Sequence, residues 1–360
     1  MKDTQGNDPS TSVSRRAFLG RGALGAAGAA AVGMGARVQA AGKAETPAEE
    51  NPWRYDIDSL RRVDPALIHY DRVVLFPVGG ATVRRFALGP DGRVYVASGK
   101  SVLVFTPEGA RAAEIAVGDL VRAIHVSRDG RVYVGLRDRV EIYDGSGRRA
   151  ARWPAHSGKP FITGVAATAT DVFVADSGNR VVYRFDLDGG SPLRLGEKNA
   201  ERRVPGLVLP SPFLDVEPGA DGLLRVNNPG RHKVELYTRG GDLEQSWGKS
   251  GVSIEAFCGC CNPVALALLP DGRCVTAEKG LPRVKVYDAE GRLESVVAGP
   301  DSFAAVASED REAATTTDTV HDGLDVAVDA QGKVWVLDLV GATVQAFQRK
   351  PAGGGGGKGA

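Results

Sequence analysis

Three of the four cysteines are crowded into one short string, Phe257-Cys258-Gly259-Cys260-Cys261-Asn262-Pro263. Thiolates this close, with a glycine that lets the backbone fold back, can converge on one soft metal ion or an iron–sulfur cluster. The spacing matches no common zinc pattern, which needs paired cysteines separated by about two to four residues. A Cys258–Cys261 or vicinal Cys260–Cys261 disulfide, or a reactive free thiol, explains the same residues. The sequence leaves these interpretations open.

The strands that must position this string belong to a sequence repeat that recurs along the chain. Each copy has a short apolar strand, a turn that is usually Asp-Gly, a strand such as Arg-Val-Tyr-Val, and a strand that ends in Tyr or Phe. The six copies lie at 86–105, 129–143, 171–185, 221–237, 271–287 and 331–347. Asp-Gly supplies the positive φ angles of a two-residue hairpin, and the flanking residues alternate with the period of a strand. A second turn signal adds an outer strand in most copies, so the sequence predicts an all-β, six-bladed β-propeller.

The repeated phrases resemble NHL repeats, above all Val-Ala-Asp-Ser-Gly-Asn-Arg-Val at 174–181 and Pro-Asp-Gly-Arg-Val-Tyr-Val at 90–96. The resemblance covers about residues 71–348 and implies an NHL-type propeller. It says little about function, because such propellers serve as enzymes, ligand binders and docking surfaces. Zinc-dependent lyases exist in the wider NHL group, but they draw histidines from several blades, and this chain has 5 histidines.

The two ends of the repeat region predict how the ring closes. The sixth copy has no outer strand after Phe347, whereas residues 71–77 look like an outer strand without a blade. Pairing the two would remove both open sheet edges. The Asp-Gly turns then lie at the bottom, and the blade-to-blade loops form the top face, with the cysteine string near the channel mouth.

A fourth metal ligand can be sought by aligning the repeats. With an offset of 60 residues between Gly272 and Gly332, His321 falls at the position of Cys261, one blade along. Cys274 is separated from the cysteine string by a whole strand, about 20 Å, and is expected to pack as a small buried hydrophobe. We therefore predict a metal site of Cys258, Cys260, Cys261 and His321. His232, on an adjacent top turn, is a reserve ligand, and Asp215 and Asp325 occupy equivalent inner-strand positions in blades four and six.

Other residues near the expected mouth are weaker candidates. Arg84, Arg85 and Arg122 could favour an anionic ligand, and His125 lies on the inner strand of blade two. A solvated or hydrogen-bonded structural role is the simpler interpretation of each. Residues 196–210 and 302–320 form unusually long top loops, which are either functional or disordered. The sequence holds no nucleophile elbow, phosphate loop or metalloprotease helix motif.

The N-terminus carries targeting features. Arg15 and Arg16 precede Phe18-Leu19, a small-residue apolar run and Val38-Gln39-Ala40, which together predict a twin-arginine signal peptide over 1–41. The apolar run is too short and too rich in Gly and Ala to span a membrane. We predict a linker at 42–70, the propeller at 71–348 and a flexible glycine tail at 349–360. Twin-arginine export carries folded cargo, which often takes up its cofactor first.

Composition adds limits on function. The chain has 360 residues, 42% of them hydrophobic and 25% charged, with a formal net charge of +1, so no general attraction to nucleic acid or anionic lipid is implied. We expect a periplasmic or secreted monomer that binds a small molecule or a protein on its top face. The leading hypothesis is a metal or iron–sulfur site with a redox or ligand-binding role. The alternatives are a metal-free docking scaffold with a disulfide, and a metal-dependent lyase or hydrolase, so enzymatic activity is left open.

Overall fold

The structure, a computed structural model, describes residues 57–80, 82–154, 158–190, 192–304 and 323–351. The predicted signal peptide, the first part of the predicted linker, His321, most of the long loop 302–320 and the glycine tail after residue 351 lie outside the described residues. In the described part of the chain, no helix is long and apolar enough to cross a membrane.

The described residues form 24 strands, one α-helix and three 3-10 helices. The helix α1 is Ile57–Arg61, and the 3-10 helices are Pro65–Leu67, Pro229–Arg231 and Pro300–Ser302. The strands are β1 Tyr70–Pro77, β2 Val83–Leu88, β3 Val94–Ser98, β4 Ser101–Phe105, β5 Arg111–Ala116, β6 Ala123–Val126, β7 Val132–Gly135, β8 Arg139–Tyr143, β9 Arg149–Pro154, β10 Ile162–Ala167, β11 Asp171–Asp176, β12 Val181–Asp186, β13 Leu193–Leu195, β14 Val216–Pro218, β15 Leu224–Asn228, β16 Lys233–Tyr237, β17 Leu243–Trp247, β18 Ala265–Leu268, β19 Cys274–Ala277, β20 Val284–Tyr287, β21 Leu293–Ala298, β22 Leu324–Val328, β23 Val334–Asp338 and β24 Thr343–Arg349.

These strands pair into six four-stranded antiparallel sheets. Blades one to five are β2–β5, β6–β9, β10–β13, β14–β17 and β18–β21, each a meander that runs from the channel outwards. Blade six combines β22, β23 and β24 with β1. The predicted six-bladed propeller is therefore confirmed, and each copy of the repeat forms one blade.

The Asp-Gly turns differ from the predicted two-residue hairpin. In blade one, Gly89 N–H donates to the Arg93 carbonyl (2.8 Å) and Gly92 N–H donates to the Gly89 carbonyl (3.0 Å), which closes a three-residue loop. Only the glycine has positive φ, 79° at Gly92. The aspartate instead uses its side chain, since Asp91 Oδ1 accepts from Arg93 N–H at 3.1 Å.

The apolar core consists of six clusters, each between two neighbouring blades. One example joins Trp335 of blade six to Phe86 and Phe105 of blade one. Because neighbouring blades cover both faces of a sheet, middle strands are buried along most of their length instead of alternating. All six residues of β11 are buried.

Ring closure occurs as predicted. β1 pairs antiparallel with β24, from Tyr70 opposite Arg349 to Pro77 opposite Thr343. Tyr70 and Phe76 of β1 are buried in two of the inter-blade clusters. An N-terminal strand therefore supplies the outer strand of the last blade and protects the β24 edge.

The end of the predicted linker is ordered. α1 and the first 3-10 helix precede β1, and Ile68 forms a parallel bridge with Val296 of blade five. His69 N–H donates to the Val296 carbonyl at 3.2 Å. The segment before β1 thus lies along the outer strand of the neighbouring blade.

Candidate functional site

The central channel is crossed by an ionic bridge between three blades. Arg85, on the inner strand of blade one, contacts Asp215 of blade four with Nη2 and Asp325 of blade six with Nη1, the latter at 2.6 Å from Oδ1. All three side chains are largely buried. Inner strands converge on the propeller axis, so residues far apart in sequence can meet there.

Both aspartates also accept backbone hydrogen bonds that fix their orientation. Asp325 Oδ2 accepts from Phe86 N–H of blade one, and Asp215 Oδ2 accepts from Leu266 N–H of blade five, each at 2.9 Å. Burial raises the pKa of Asp325, while Arg85 acts in the opposite direction. The bridge therefore ties the inner strands of four blades together and places a single guanidinium group on the axis.

Above the bridge, at the top of the channel, lies a pocket of about 50 Å³. Its lining combines guanidinium groups with apolar and aromatic side chains: Arg84, Arg85, Arg122, Phe161, Thr163, Pro212, Phe213, Leu214, Val264, Leu324, Asp325 and Leu339. We call this the mouth pocket. The Arg122 guanidinium stacks 4.4 Å from the centre of the Phe161 ring, and Lys279 Nζ lies 4.9 Å from the centre of the Phe213 ring. The predicted arginines thus share one pocket with two aromatic rings.

Below the bridge, the channel widens into a cavity of about 160 Å³ that contains Glu217 and His125. For the Glu217 carboxylate, no hydrogen-bond or ion-pair partner is found among the described residues. Burial, with Asp215 nearby, raises the pKa of Glu217 to about 8. Burial also lowers the pKa of His125 to about 4. Both groups are therefore held largely uncharged at neutral pH.

The cysteine string lies in the loop that leads into β18, on the top side as predicted. Neighbouring elements hold it at several points. Asn262 Nδ2 donates to the Lys279 carbonyl at 3.0 Å, and His232 Nε2–H donates to the Gly259 carbonyl at 2.5 Å. Cys258 N–H donates to Glu278 Oε2 at 3.0 Å. His232, the predicted reserve ligand, is thus used to fix the backbone of the loop.

A buried charge cluster supports this loop from below. The Glu278 carboxylate is fully buried with Arg283 (3.0 Å) and Lys285 (2.6 Å). Lys285 also donates to the carbonyls of Ile254 and Ala256, each at 2.9 Å. Burial lowers the pKa of Lys285 to about 8, although Glu278 acts in the opposite direction. Glu278 therefore links the backbone at Cys258 to the middle strands of blade five.

The four cysteines are free thiols. Cys260 is exposed and Cys261 is buried, and their Sγ atoms are 3.1 Å apart. The Ser211 hydroxyl lies 3.0 Å from Cys261 Sγ. Burial raises the pKa of the Cys261 thiol, and the Ser211 hydrogen bond acts in the opposite direction. Ser211 is followed by Pro212 and Phe213, so the thiol pair lies beside the mouth pocket.

The predicted four-ligand metal site stays a prediction. Within the described ranges, no group of three His, Cys, Asp or Glu side chains is arranged to hold a metal ion, and His321 lies outside those ranges. Two thiolates on one tetrahedral zinc ion are about 3.8 Å apart, given a Zn–S distance of about 2.3 Å. The Cys260–Cys261 pair would have to open slightly to bind one. Cys274 is buried as expected, and burial raises its pKa to about 12.

Several residues of the site were not singled out from the sequence. Ser211, Glu217 and Glu278 have no recognisable sequence motif around them. The sequence places Arg85 among the arginines of the mouth but does not predict its ion pairs with Asp215 and Asp325. The sequence did contain a signal for the ionic bridge, because Asp215 and Asp325 occupy the same position of the repeat on two inner strands. A pair of like charges at the axis requires a cation between them.

Solved structures with the same fold include a streptogramin B lyase, with a TM-score of 0.52, 13% identity, and coverage of 80% of this chain and 100% of that chain. A virginiamycin B lyase from Staphylococcus aureus has a TM-score of 0.52 and 11% identity, over 78% of this chain and 99% of that chain. A catalytically inactive variant of the Staphylococcus aureus enzyme, solved with quinupristin, has a TM-score of 0.50 and 12% identity. The match covers 79% of this chain and 89% of that chain. No protein-family model and no curated protein matches the sequence. The chain is a six-bladed β-propeller, and at these identities the likeness shows the fold alone.

Proposed function

We propose that this chain is an exported ligand-binding propeller that binds a small anionic molecule at the mouth pocket, with the anionic group in the pocket and an apolar or aromatic part against the rings at its opening. The observation that carries this proposal is the composition of the pocket, in which Arg84 and Arg122 lie with Phe161 and Phe213 around a concave site. Guanidinium groups bind carboxylates and phosphates, whereas the rings bind apolar surface.

The floor of the pocket supports a preformed site. Arg85 is held by Asp215 and Asp325, so its position is fixed before any ligand arrives. Lys279 adds positive charge at the side that carries the cysteine loop. A preorganised floor lowers the ordering cost of binding.

Direct binding measurements test this proposal. The fluorescent anionic aromatic probe anilinonaphthalene sulfonate should bind the intact protein, and Arg122→Gln should weaken binding by about tenfold. Arg148→Gln removes the same charge from an exposed side chain of blade two and is the matched control. A melting curve for each variant shows that the fold is intact. Equal weakening by both variants would mean that only overall charge matters and would overturn the proposal.

Metal binding by the cysteine loop is a second proposal, supported by two sulfur atoms side by side in an anchored loop. Cys260 and Cys261, with Cys258, would hold a soft metal ion, and His321 would complete the set. Metal analysis and thiol titration on anaerobically purified protein test it. Stoichiometric iron, copper or zinc that is lost in Cys261→Ser and weakened in His321→Ala would support it, and metal-free protein would refute it. The lyase alternative has no comparable support from the described side chains.

A further inference from the structure

Cys260 and Cys261 differ sharply in environment although they are adjacent in sequence. Cys260 is an exposed residue, whereas Cys261 is 1% exposed and its sulfur contacts the Ser211 hydroxyl. Their sulfur atoms are 3.1 Å apart. An accessible thiol next to a protected one is the arrangement of an attacking and a resolving cysteine.

We propose that the metal-free protein uses Cys260 and Cys261 as a dithiol that reduces small disulfides by thiol–disulfide exchange. This activity goes beyond ligand binding in the mouth pocket, because the thiols of Cys260 and Cys261 carry it. Ser211 acts as a positioning residue, because its hydroxyl holds the sulfur of Cys261 beside that of Cys260.

The reaction balances as a two-electron transfer. The Cys260 thiolate attacks one sulfur of the small disulfide RS–SR, the S–S bond breaks, and RS⁻ leaves and takes up a proton. Cys261, after losing its proton to solvent, attacks the sulfur of Cys260. A Cys260–Cys261 disulfide forms and the second RS⁻ leaves. The protein dithiol is oxidised and the substrate is reduced to two thiols, and an external dithiol can reverse the protein step.

The separation of the two sulfur atoms is compatible with this chemistry. A disulfide bond is about 2.05 Å long, and two thiolates on one tetrahedral zinc ion are about 3.8 Å apart. At 3.1 Å the pair lies between the two. Among the described residues, no third metal ligand lies beside the two sulfur atoms. Formation of a Cys260–Cys261 disulfide needs no third group.

The surroundings indicate the kind of disulfide that fits. Lys279 and Phe213, which contact each other at the pocket edge, lie on the side of the pocket that carries the thiol pair. A positive charge beside an aromatic ring suits a small, negatively charged aromatic disulfide. The chromogenic disulfide dithiobis(nitrobenzoate) has this chemistry and is therefore the probe.

The experiment uses reduced, metal-free, full-length protein in which Cys258→Ser removes the third thiol of the loop. Cys274 is buried in the native structure, so we expect it not to react. We expect two nitrothiobenzoate ions per chain, with the second released at a rate independent of probe concentration because that step is intramolecular. Mass spectrometry should find a Cys260–Cys261 linkage.

Two further variants make the test decisive. With Cys261→Ser, one ion is released and a stable mixed disulfide remains. With Cys260→Ser, the first release slows by about an order of magnitude, because only a buried thiol is left. Ser211→Ala should slow the second release and leave the first unchanged. Two independent releases whose rates both depend on probe concentration, or a stable mixed disulfide on Cys260 when Cys261 is present, would overturn the proposal.

Discussion

Arg85 and Asp325 meet across the propeller axis, with Nη1 2.6 Å from Oδ1, although 240 residues separate them in the sequence. Asp215 occupies the other side of the same guanidinium group. The pair joins the first blade to the last on the inside of the ring, opposite the outer closure by β1.

Removing this guanidinium should destabilise the whole ring. Arg85→Ala leaves two largely buried carboxylates without a counter-charge, which costs about 3–5 kcal/mol. Denaturant unfolding measures the loss. Arg148→Ala, which breaks an exposed ion pair with Asp144, should change stability by less than about 0.5 kcal/mol. Equal stability of the Arg85→Ala variant and the native protein would show that the bridge is energetically neutral.

Glu217 should impose a pH dependence on stability. Its pKa is raised from 4.5 to about 8, so between these values the folded protein retains a proton that the unfolded chain has released. Stability therefore falls as pH rises through this window, and the full penalty is present above about pH 8. Glu217→Gln removes the penalty and should be more stable than the native protein by at least about 1 kcal/mol at high pH.

The difference in stability between the native protein and the Glu217→Gln variant isolates the contribution of Glu217. The other titratable groups around Glu217, which are Arg85, Asp215, Asp325, Arg225 and His125, are present in both. His125 acts at lower pH and with the opposite sign, because its lowered pKa makes stability fall as pH drops from 6.5 towards about 4. A stability difference that does not change between about pH 5 and about pH 9 would contradict the assignment to Glu217.

Deleting residues 70–77 should open the ring. The deletion removes the β1–β24 pairing and two buried aromatic side chains, Tyr70 and Phe76, and exposes the edge of β24. We expect aggregation or a large drop in melting temperature, measured by thermal scans and size-exclusion chromatography. Replacing the exposed Val73 and Leu75 of the same strand by Thr is the control and should leave melting nearly unchanged.

Export should depend on the paired arginines. Changing Arg15 and Arg16 to Lys keeps the charge, but we expect the precursor to accumulate inside the cell, because the export receptor reads the arginines themselves. Cell fractionation with an antibody to the protein measures this. Arg21→Lys, a few residues further on, is the matched control and should be processed normally. Normal export of the double variant would disprove the twin-arginine hypothesis.

Much of the fold was predictable because its determinants are local and repeated. Turn residues and apolar strands recur in six copies, so each copy reinforces the same interpretation. The lone strand at 71–77 and the missing outer strand after Phe347 predicted closure, since open edges are unfavourable. Individual turns were less predictable, because Asp91 bonds through its side chain instead of adopting a positive φ.

The sequence by itself determined the architecture, the top-face position of the cysteine loop and the burial of Cys274, because strand period, turn residues and repeat offset act over short distances. Only the tertiary structure decided which side chains meet. Arg85, Asp215 and Asp325 come from blades one, four and six, and Ser211 reaches Cys261 from another blade. Such contacts form because the closed ring brings residues of different blades together around one axis. The spacing of residues along the chain does not encode which of them meet there.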